Sequence, residues 1–153
     1  MKLRKSPRLR DFHYTGPFAY HLAFATRGRL PIFKAEDAVQ PCLYALKKAC
    51  ERYDFHTLAF CFMPDHLHLL LGGQDDSSLR DFVRYFKQIS GYHFKRRYSG
   101  ALWQISYYDH VVRRSEDVEE IAAYIWNNPV REGLAESRLD YALSGPRELM
   151  GQA

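Results

Sequence analysis

The sequence predicts an α+β fold built on an antiparallel sheet, and three observations lead to that prediction. A chain of 153 residues with 46% apolar and 15% aromatic residues is long and apolar enough for one domain with its own core. Segments with two-residue alternation and segments with helical spacing follow one another as strand, helix, strand, strand, helix, strand, helix. No repeat or low-complexity tract interrupts this order. It is the order of a split βαββαβ, ferredoxin-like fold with about four or five strands, helices on one face and an added C-terminal helix.

The first half of the chain predicts three strands and one helix. A first strand is expected in the segment PFAYHLAFA, where large apolar residues alternate with His21 and alanines. A helix follows over residues 36–53, because apolar residues recur there with helical spacing. The segments FHTLAFCFM and HLHLLLGG then predict two strands, and the Pro-Asp dipeptide between them predicts a tight turn. These two strands form a hairpin.

The second half predicts two further helices and one strand. Ser78 is a typical N-cap residue, and the segment after it has an apolar helical face that begins with Leu79 and Phe82. The segment YYDHVVRR predicts a fourth strand, and SEDVEEIAAYIWNN predicts the last helix. That helix should end at Asn128, because the residue before a proline disfavours helical geometry.

Two histidines on the third strand are the first candidate site residues. In a ferredoxin-like sheet the first and third strands are central, and alternation directs His66 and His68 to the same face. Two imidazoles so placed could begin a divalent-metal site, or they could be polar residues on a solvated strand face. No neighbouring cysteine or HExxH helix completes a zinc set. Asp65 is expected to be a turn residue whose side chain faces away from both imidazoles.

The last helix carries the second candidate pair, Tyr124 and Asn128. They are four residues apart and therefore share a helix face. Taken alone, the tyrosine could equally be a core residue and the asparagine a helix stop. The sequence contains no GxGxxG, no P-loop and no GxSxG motif, so nucleotide-dependent and serine-hydrolase chemistries lack support.

Charge and composition limit the classes of partner and the cellular location that we expect. The net charge is +4, and basic residues cluster near the N-terminus and again at residues 95–97, which fits either a polyanion partner or solvated faces. Apolar runs are far shorter than the roughly 20 residues of a membrane span, and no signal segment is visible, so we expect a cytoplasmic protein without membrane contact. We expect one domain over residues 1–153, with a basic arm at 1–12 and an irregular tail at 130–153.

Three motifs in a fixed order resemble the single-tyrosine HUH transposases, specifically the REP-associated tyrosine transposase branch. They are MPDHLHLLL, GALWQISYYDHVVRR and YIWNNPVREGLAESRLDY, and the resemblance extends from the first strand to the region of Tyr141. It implies that Tyr124 is the nucleophile, which makes the last helix the catalytic one. It also implies that His66, His68 and Asn128 hold Mg²⁺ or Mn²⁺. One departure is Pro-Asp-His where such proteins commonly have Pro-Asn-His.

The resemblance also implies a reaction and a substrate. The expected enzyme cleaves and rejoins single-stranded DNA at hairpin (REP-like) sequences through a 5′-phosphotyrosine intermediate, as a monomer or a homodimer. The alternatives are a domesticated DNA-binding protein that no longer transposes and a metal-dependent nuclease that uses water. Basic residues are the candidate DNA contacts: Arg27, Arg29, Arg84, Lys87, Lys95, Arg96 and Arg113.

Overall fold

The computed structural model describes residues 14–113 and 115–150. The strands are β1 Ala19–Ala25, β2 Phe55–Met63, β3 His66–Gly73, β4 Tyr108–Val112 and β5 Ser144–Gly145. The helices are α1 Glu36–Tyr53, α2 Leu79–Arg97, α3 Ser115–Arg131 and α4 Arg147–Met150, and short 3-10 turns lie at Arg27–Arg29, Ile32–Lys34 and Arg138–Asp140. No helix within these described ranges combines the length and the apolar character needed to cross a membrane.

The five strands form one antiparallel sheet in the order β4-β1-β3-β2-β5. The first four positions have the ferredoxin-like order, so the predicted α+β plan is confirmed, and β5 extends it by one edge strand. The central strand is β3, which pairs with β1 on one side and β2 on the other. The histidine pair therefore lies on the central strand, as the sequence predicts.

The sheet has an apolar layer on each face, and β3 contributes to both. Leu67, Leu69 and Leu71 pack into the larger core with side chains from α1 and α2. Leu70, on the opposite face, joins a smaller core that includes Ile125 of α3. Strand alternation thus sends β3 side chains into two separate layers. As a result α3 covers the face to which His66 and His68 belong.

The prediction that the last helix ends at Asn128 is wrong, because α3 continues through Pro129 to Arg131. A proline removes only one amide donor from the helical ladder. The amides that follow still find acceptors: Glu132 donates to the carbonyl of Asn128 at 3.1 Å, and Leu134 donates to that of Pro129 at 2.8 Å. Proline near the end of the helix is therefore tolerated.

The segment after α3, expected from sequence to be irregular, attaches to the sheet through short elements. In β5, Gly145 pairs with Phe60 of β2. The Tyr141 hydroxyl donates to the carbonyl of Phe62 at 2.6 Å, and the Trp126 indole N–H donates to the carbonyl of Gly145 at 2.9 Å. The expected basic arm at residues 1–12 lies outside the described residues, and the division into arm, domain and tail stays a prediction.

Replacing Leu69 by alanine should destabilise the protein strongly. Leu69 is 0% exposed on the central strand, and truncation of such a leucine leaves a cavity that costs about 2–5 kcal/mol in the free energy of unfolding. Chemical denaturation monitored by circular dichroism measures this loss. The matched control is Leu139→Ala, since Leu139 is 55% exposed and its truncation should cost less than about 0.5 kcal/mol. Equal losses in the two variants would contradict the assignment of β3 to the core.

Candidate active site

The two imidazoles of β3 lie side by side on the face covered by α3. Their ring centroids are 4.9 Å apart at an interplanar angle of 79°. Both are buried, with His66 6% and His68 0% exposed. Burial of two polar rings without compensation would be unfavourable, so the bonds that each nitrogen makes are informative.

Each of these histidines uses Nδ1 for a hydrogen bond inside the protein. His66 Nδ1 donates to Asp65 Oδ1 at 2.7 Å, because a carboxylate can only accept. His68 Nδ1 lies 3.1 Å from His21 Nε2 on the neighbouring strand β1. Both Nε2 atoms are buried and have no hydrogen-bond partner in the described parts of the chain. The two Nε2 atoms are therefore available to bind something other than protein.

The position of Asp65 corrects the expectation that it faces away from the imidazoles. Its carboxylate bonds to His66 and also pairs with Arg29, whose Nε lies 3.3 Å from Asp65 Oδ2. Strict side-to-side alternation applies within a strand, and Asp65 lies in the turn before β3. The short aspartate side chain can therefore turn back toward the next residue.

Asn128 contributes a third buried polar group. It is 1% exposed, and neither its Oδ1 nor its Nδ2 has a hydrogen-bond partner among residues 14–113 and 115–150. No three His, Cys, Asp or Glu side chains in those ranges form a metal-binding cluster. The Asn128 amide oxygen, which the resemblance implies as the third ligand, is a donor of another kind. Two neutral imidazole nitrogens and an amide oxygen, all buried and unpaired, are a donor set that fits a divalent cation.

Tyr124 lies between the histidines and an arginine. Its ring centroid is 6.2 Å from that of His68 and 6.4 Å from that of His21, with edge-on geometry in both cases. On α3, the Arg131 guanidinium carbon lies 4.0 Å from the centroid of the Tyr124 ring, and Arg131 Nη2 donates to the Tyr124 carbonyl at 2.6 Å. A cation stacked on the ring and a hydrogen bond to the same residue restrict where the phenol can go.

Burial keeps the three imidazoles uncharged at neutral pH. It lowers the pKa of His66 and lowers that of His68 well below the usual value; for His68, the neighbouring His21 adds to the effect. Burial, followed by the charge of His110, lowers the pKa of His21 to about 4. A neutral imidazole has a lone pair, which is the form that a metal requires.

The candidate DNA contacts do not gather around the histidines. Two lie in the turn after β1, four lie on α2 and one follows β4: Arg27 and Arg29; Arg84, Lys87, Lys95 and Arg96; Arg113. Since α2 packs against the sheet face opposite the histidines, only the first pair lies in a segment that touches the site, through the ion pair of Arg29 with Asp65. Arg113 follows Val112, which pairs with Ala19 at one end of β1. His66 pairs with Ala25 at the other end, so Arg113 and His66 are about 20 Å apart along the sheet.

Sequence reasoning missed two residues of the site, His21 and Arg131. His21 is a histidine among alanines on one face of the predicted first strand, but its contact with His68 depends on the register of β1 against β3. Arg131 follows Tyr124 by seven residues, which is two helical turns, and the expectation that the helix ends before it hid that relation.

Comparisons with known proteins relate the chain to one family of transposases. The family described as IS200-like transposases matches residues 16–128. A Haemophilus influenzae protein that carries the name REP-associated tyrosine transposase is 29% identical over 148 residues, which cover 88% of this chain and 82% of the relative. The REP-associated tyrosine transposase of Escherichia coli K12 is 27% identical over 109 residues, covering 66% of this chain and 60% of the relative.

A solved structure agrees in fold. It is that of a REP-associated tyrosine transposase bound to a REP hairpin, with a TM-score of 0.78 over 96% of this chain and 87% of that chain. At 18% sequence identity the likeness is one of backbone architecture. The whole sheet and its helices therefore have a counterpart of known structure.

The metal-free protein should lose stability in acid because its buried histidines resist protonation. An unfolded histidine binds its proton near pH 6.5, whereas native His21 does so only near pH 4. Between these values the unfolded state holds more protons, so the free energy of unfolding falls as pH falls. His21 alone should contribute about 3 kcal/mol over this window.

Denaturant titrations between pH 7 and pH 4, in the presence of a chelator, measure this dependence. The variant His21→Phe should show a shallower loss of stability than the parent, by up to about 1.4 kcal/mol per pH unit. Identical pH dependence in the two proteins would contradict a neutral, buried His21.

Proposed function

The chain belongs to the family of IS200-like transposases, and from this we propose that it cleaves and rejoins single-stranded DNA with Tyr124 as the nucleophile. The observation that carries the proposal is the position of the Tyr124 ring, 6.2 Å from the ring of a histidine whose Nε2 is buried and unpaired in the described chain. A nucleophile beside a set of buried metal donors is an arrangement that suits metal-assisted phosphoryl transfer to a side chain.

The proposed step exchanges one phosphate ester for another. The Tyr124 oxygen forms a bond to the scissile phosphorus, and the bond between that phosphorus and the 3′ oxygen of the preceding nucleotide breaks. The tyrosine loses a proton and the departing oxygen gains one, so the products are a free 3′-hydroxyl and a 5′-phosphotyrosine. Because the number of phosphodiester bonds is unchanged, a second 3′-hydroxyl can reverse the step and join strands without ATP.

Three residues are proposed to hold a divalent metal: His66 and His68 through Nε2, and Asn128 through its amide oxygen. Magnesium or manganese bound there would neutralise and orient the phosphate. The protein prepares this donor set in advance. Asp65 is hydrogen-bonded to Nδ1 of His66, and His21 to Nδ1 of His68. Burial favours the neutral imidazole, which is the form that can bind a metal.

Arg131 is proposed to hold the nucleophile in place. Its stacking on the Tyr124 ring and its bond to the Tyr124 carbonyl leave the phenol fewer orientations. Restricting the attacking group to near-productive orientations is a large part of what an active site supplies.

The proposed substrate is a hairpin in single-stranded DNA, of the REP type. Support comes from the solved relative of the same fold, which is bound to a REP hairpin, and from the names of the sequence relatives. Arg27 and Arg29 are the proposed contacts nearest the scissile phosphate, and the α2 cations and Arg113 would contact the backbone farther away. The proposal applies to a monomer or a homodimer, and the cytoplasmic location expected from the sequence stays a prediction.

Replacing Tyr124 by phenylalanine should abolish covalent attachment to DNA while leaving DNA binding in place. The change removes only the attacking oxygen. A labelled single-stranded hairpin is incubated with protein and Mg²⁺ or Mn²⁺ and analysed on a denaturing gel, where the parent gives a protein–DNA band that depends on the metal. The matched control is Tyr44→Phe, since Tyr44 is an exposed residue of α1. It should form adduct like the parent.

Three other results would contradict the proposal. Cleavage by the parent without an attached protein would indicate a nuclease that uses water. Binding without cleavage, in either metal, would indicate a domesticated DNA-binding protein. Adduct formation by Tyr124→Phe would exclude Tyr124 as the nucleophile.

The double variant Lys95→Gln and Arg96→Gln should bind hairpin DNA more weakly and with a smaller salt dependence. Each lost phosphate contact should lower the slope of log affinity against log salt by roughly 0.7 for single strands. Fluorescence anisotropy at several salt concentrations measures both quantities. The control, Lys47→Gln with Lys48→Gln, makes the same charge change on α1. An equal effect of the two variants would show that only net charge matters.

A further inference from the structure

We propose that His21 is a positioning residue that sets the tautomer of His68, so that His68 presents the lone pair of Nε2 to the metal. This inference rests on the proposed function, because it takes His68 to be a metal ligand. It assigns a role to a residue of a different strand, which would act through its hydrogen bond to His68.

The register of the sheet brings the two rings together. In the pairing of β1 with β3, Ala23 lies opposite His68 and His21 lies opposite Leu70, so His21 is the diagonal neighbour of His68 on the same face. The nitrogens His21 Nε2 and His68 Nδ1 are 3.1 Å apart, and the rings are stacked with centroids 5.3 Å apart. His21 is itself buried, so water does not compete for this bond.

The direction of the hydrogen bond between His21 and His68 decides whether His68 can bind a metal through Nε2. A neutral imidazole carries one proton, on one of its two nitrogens. If His21 donated its Nε2 proton, His68 would accept at Nδ1 and would carry its own proton on Nε2, where it would block the metal. If His68 donates from Nδ1, its Nε2 holds a lone pair and His21 holds its proton on Nδ1. Only the second arrangement permits ligation.

His66, the other proposed histidine ligand, has the same arrangement, and there the direction of the hydrogen bond is fixed. Asp65 accepts from Nδ1 of His66, and a carboxylate has no proton to give back. Each histidine ligand therefore has an acceptor at Nδ1. Asp65 in the turn serves His66, and His21 on β1 serves His68. Such partners orient the ring and increase the basicity of the ligating nitrogen.

Two tyrosines hold the His21 ring in the orientation that this bond needs. Tyr108 of β4 packs edge-on against it with centroids 5.3 Å apart, and Tyr124 does so at 6.4 Å. The ring that positions the ligand thus also contacts the proposed nucleophile. Loss of the nitrogen without loss of the ring is therefore the informative change.

The test uses two substitutions at this position. His21→Phe keeps a ring but offers no acceptor, whereas the amide oxygen of His21→Gln can accept in place of Nε2. Long-range ¹H–¹⁵N correlation spectra of the metal-free proteins report which nitrogen of His68 carries the proton. Calorimetric titration with Mn²⁺ reports metal affinity without any DNA. The control is His110→Gln, an exposed residue paired with His21 across β4.

The parent, His21→Gln and His110→Gln should all show His68 protonated at Nδ1 and similar Mn²⁺ affinities. His21→Phe should show His68 with a substantial Nε2-protonated fraction and Mn²⁺ binding about 10–100-fold weaker. A folded His21→Phe protein with the parent tautomer and the parent affinity would overturn the inference. If His21→Phe does not fold, the glutamine variant decides: loss of the Nδ1-protonated form or of Mn²⁺ affinity in that folded variant would overturn it.

The variant His68→Ala separates this inference from the proposed function. Unchanged Mn²⁺ affinity in His68→Ala would contradict the metal site itself. Because the His68 tautomer is measured in metal-free protein, that readout still decides whether His21 positions the ring. A parent with His68 protonated at Nε2 would overturn the inference alone.

Discussion

The antiparallel pairing of β3 with both neighbours is the constraint on which the rest of the structure depends. Leu67, Leu69 and Leu71 are fully buried against α1 and α2, and this burial selects the register of the strand. A slip of one residue would exchange the two faces of β3 and place His66 and His68 in the apolar core. The burial of three leucines therefore holds the two histidines on the opposite face. It also places His68 between Ala23 of β1 and Cys61 of β2, and so brings His21 within reach.

Among the residues that the structure describes, the candidate site contains buried polar atoms that have no hydrogen-bond partner. Buried, unpaired nitrogens and amide groups cost free energy, and here they belong to His66, His68 and Asn128. The surrounding apolar contacts offset that cost. Ile125 and Trp126 of α3 pack with Leu70 in the smaller core, so the helix remains attached although the Asn128 side chain has no hydrogen-bond partner in the described residues. The neighbouring Nδ1 atoms of both histidines are hydrogen-bonded, so the unpaired atoms are confined to the positions at which we propose that a metal binds.

Local patterns in the sequence predicted the elements well, whereas contacts that depend on pairing or on turns were not predicted. The helix over 36–53 and the two strands of the hairpin have the predicted ranges, because periodicity and punctuation by turn residues agree there. The shared face of His66 and His68 also followed from alternation. By contrast, the bond between His21 and His68 requires the register of β1 with β3, which no local pattern specifies. The bond between Asp65 and His66 depends on the conformation of the turn that precedes β3. The continuation of α3 past Pro129 depends on carbonyl acceptors for the amides that follow the proline.

The chain segment that follows α3 bears on how freely this helix, which carries the proposed nucleophile, can move. The chain passes over β3 and β2 as α3 and then returns to the outer edge of β2 as β5. The Trp126 indole bonds to this returning segment, and the Tyr141 hydroxyl bonds from it to β2. The helix is thus tethered to the sheet beyond its C-terminus as well as packed along its length. Displacing α3 as a unit would require breaking the β5 pairing and exposing Trp126, whereas rotation of the Tyr124 side chain requires neither. Displacement of α3 therefore breaks more contacts with the sheet than a side-chain rotation does, and the same returning strand covers part of an edge that could otherwise pair with another chain.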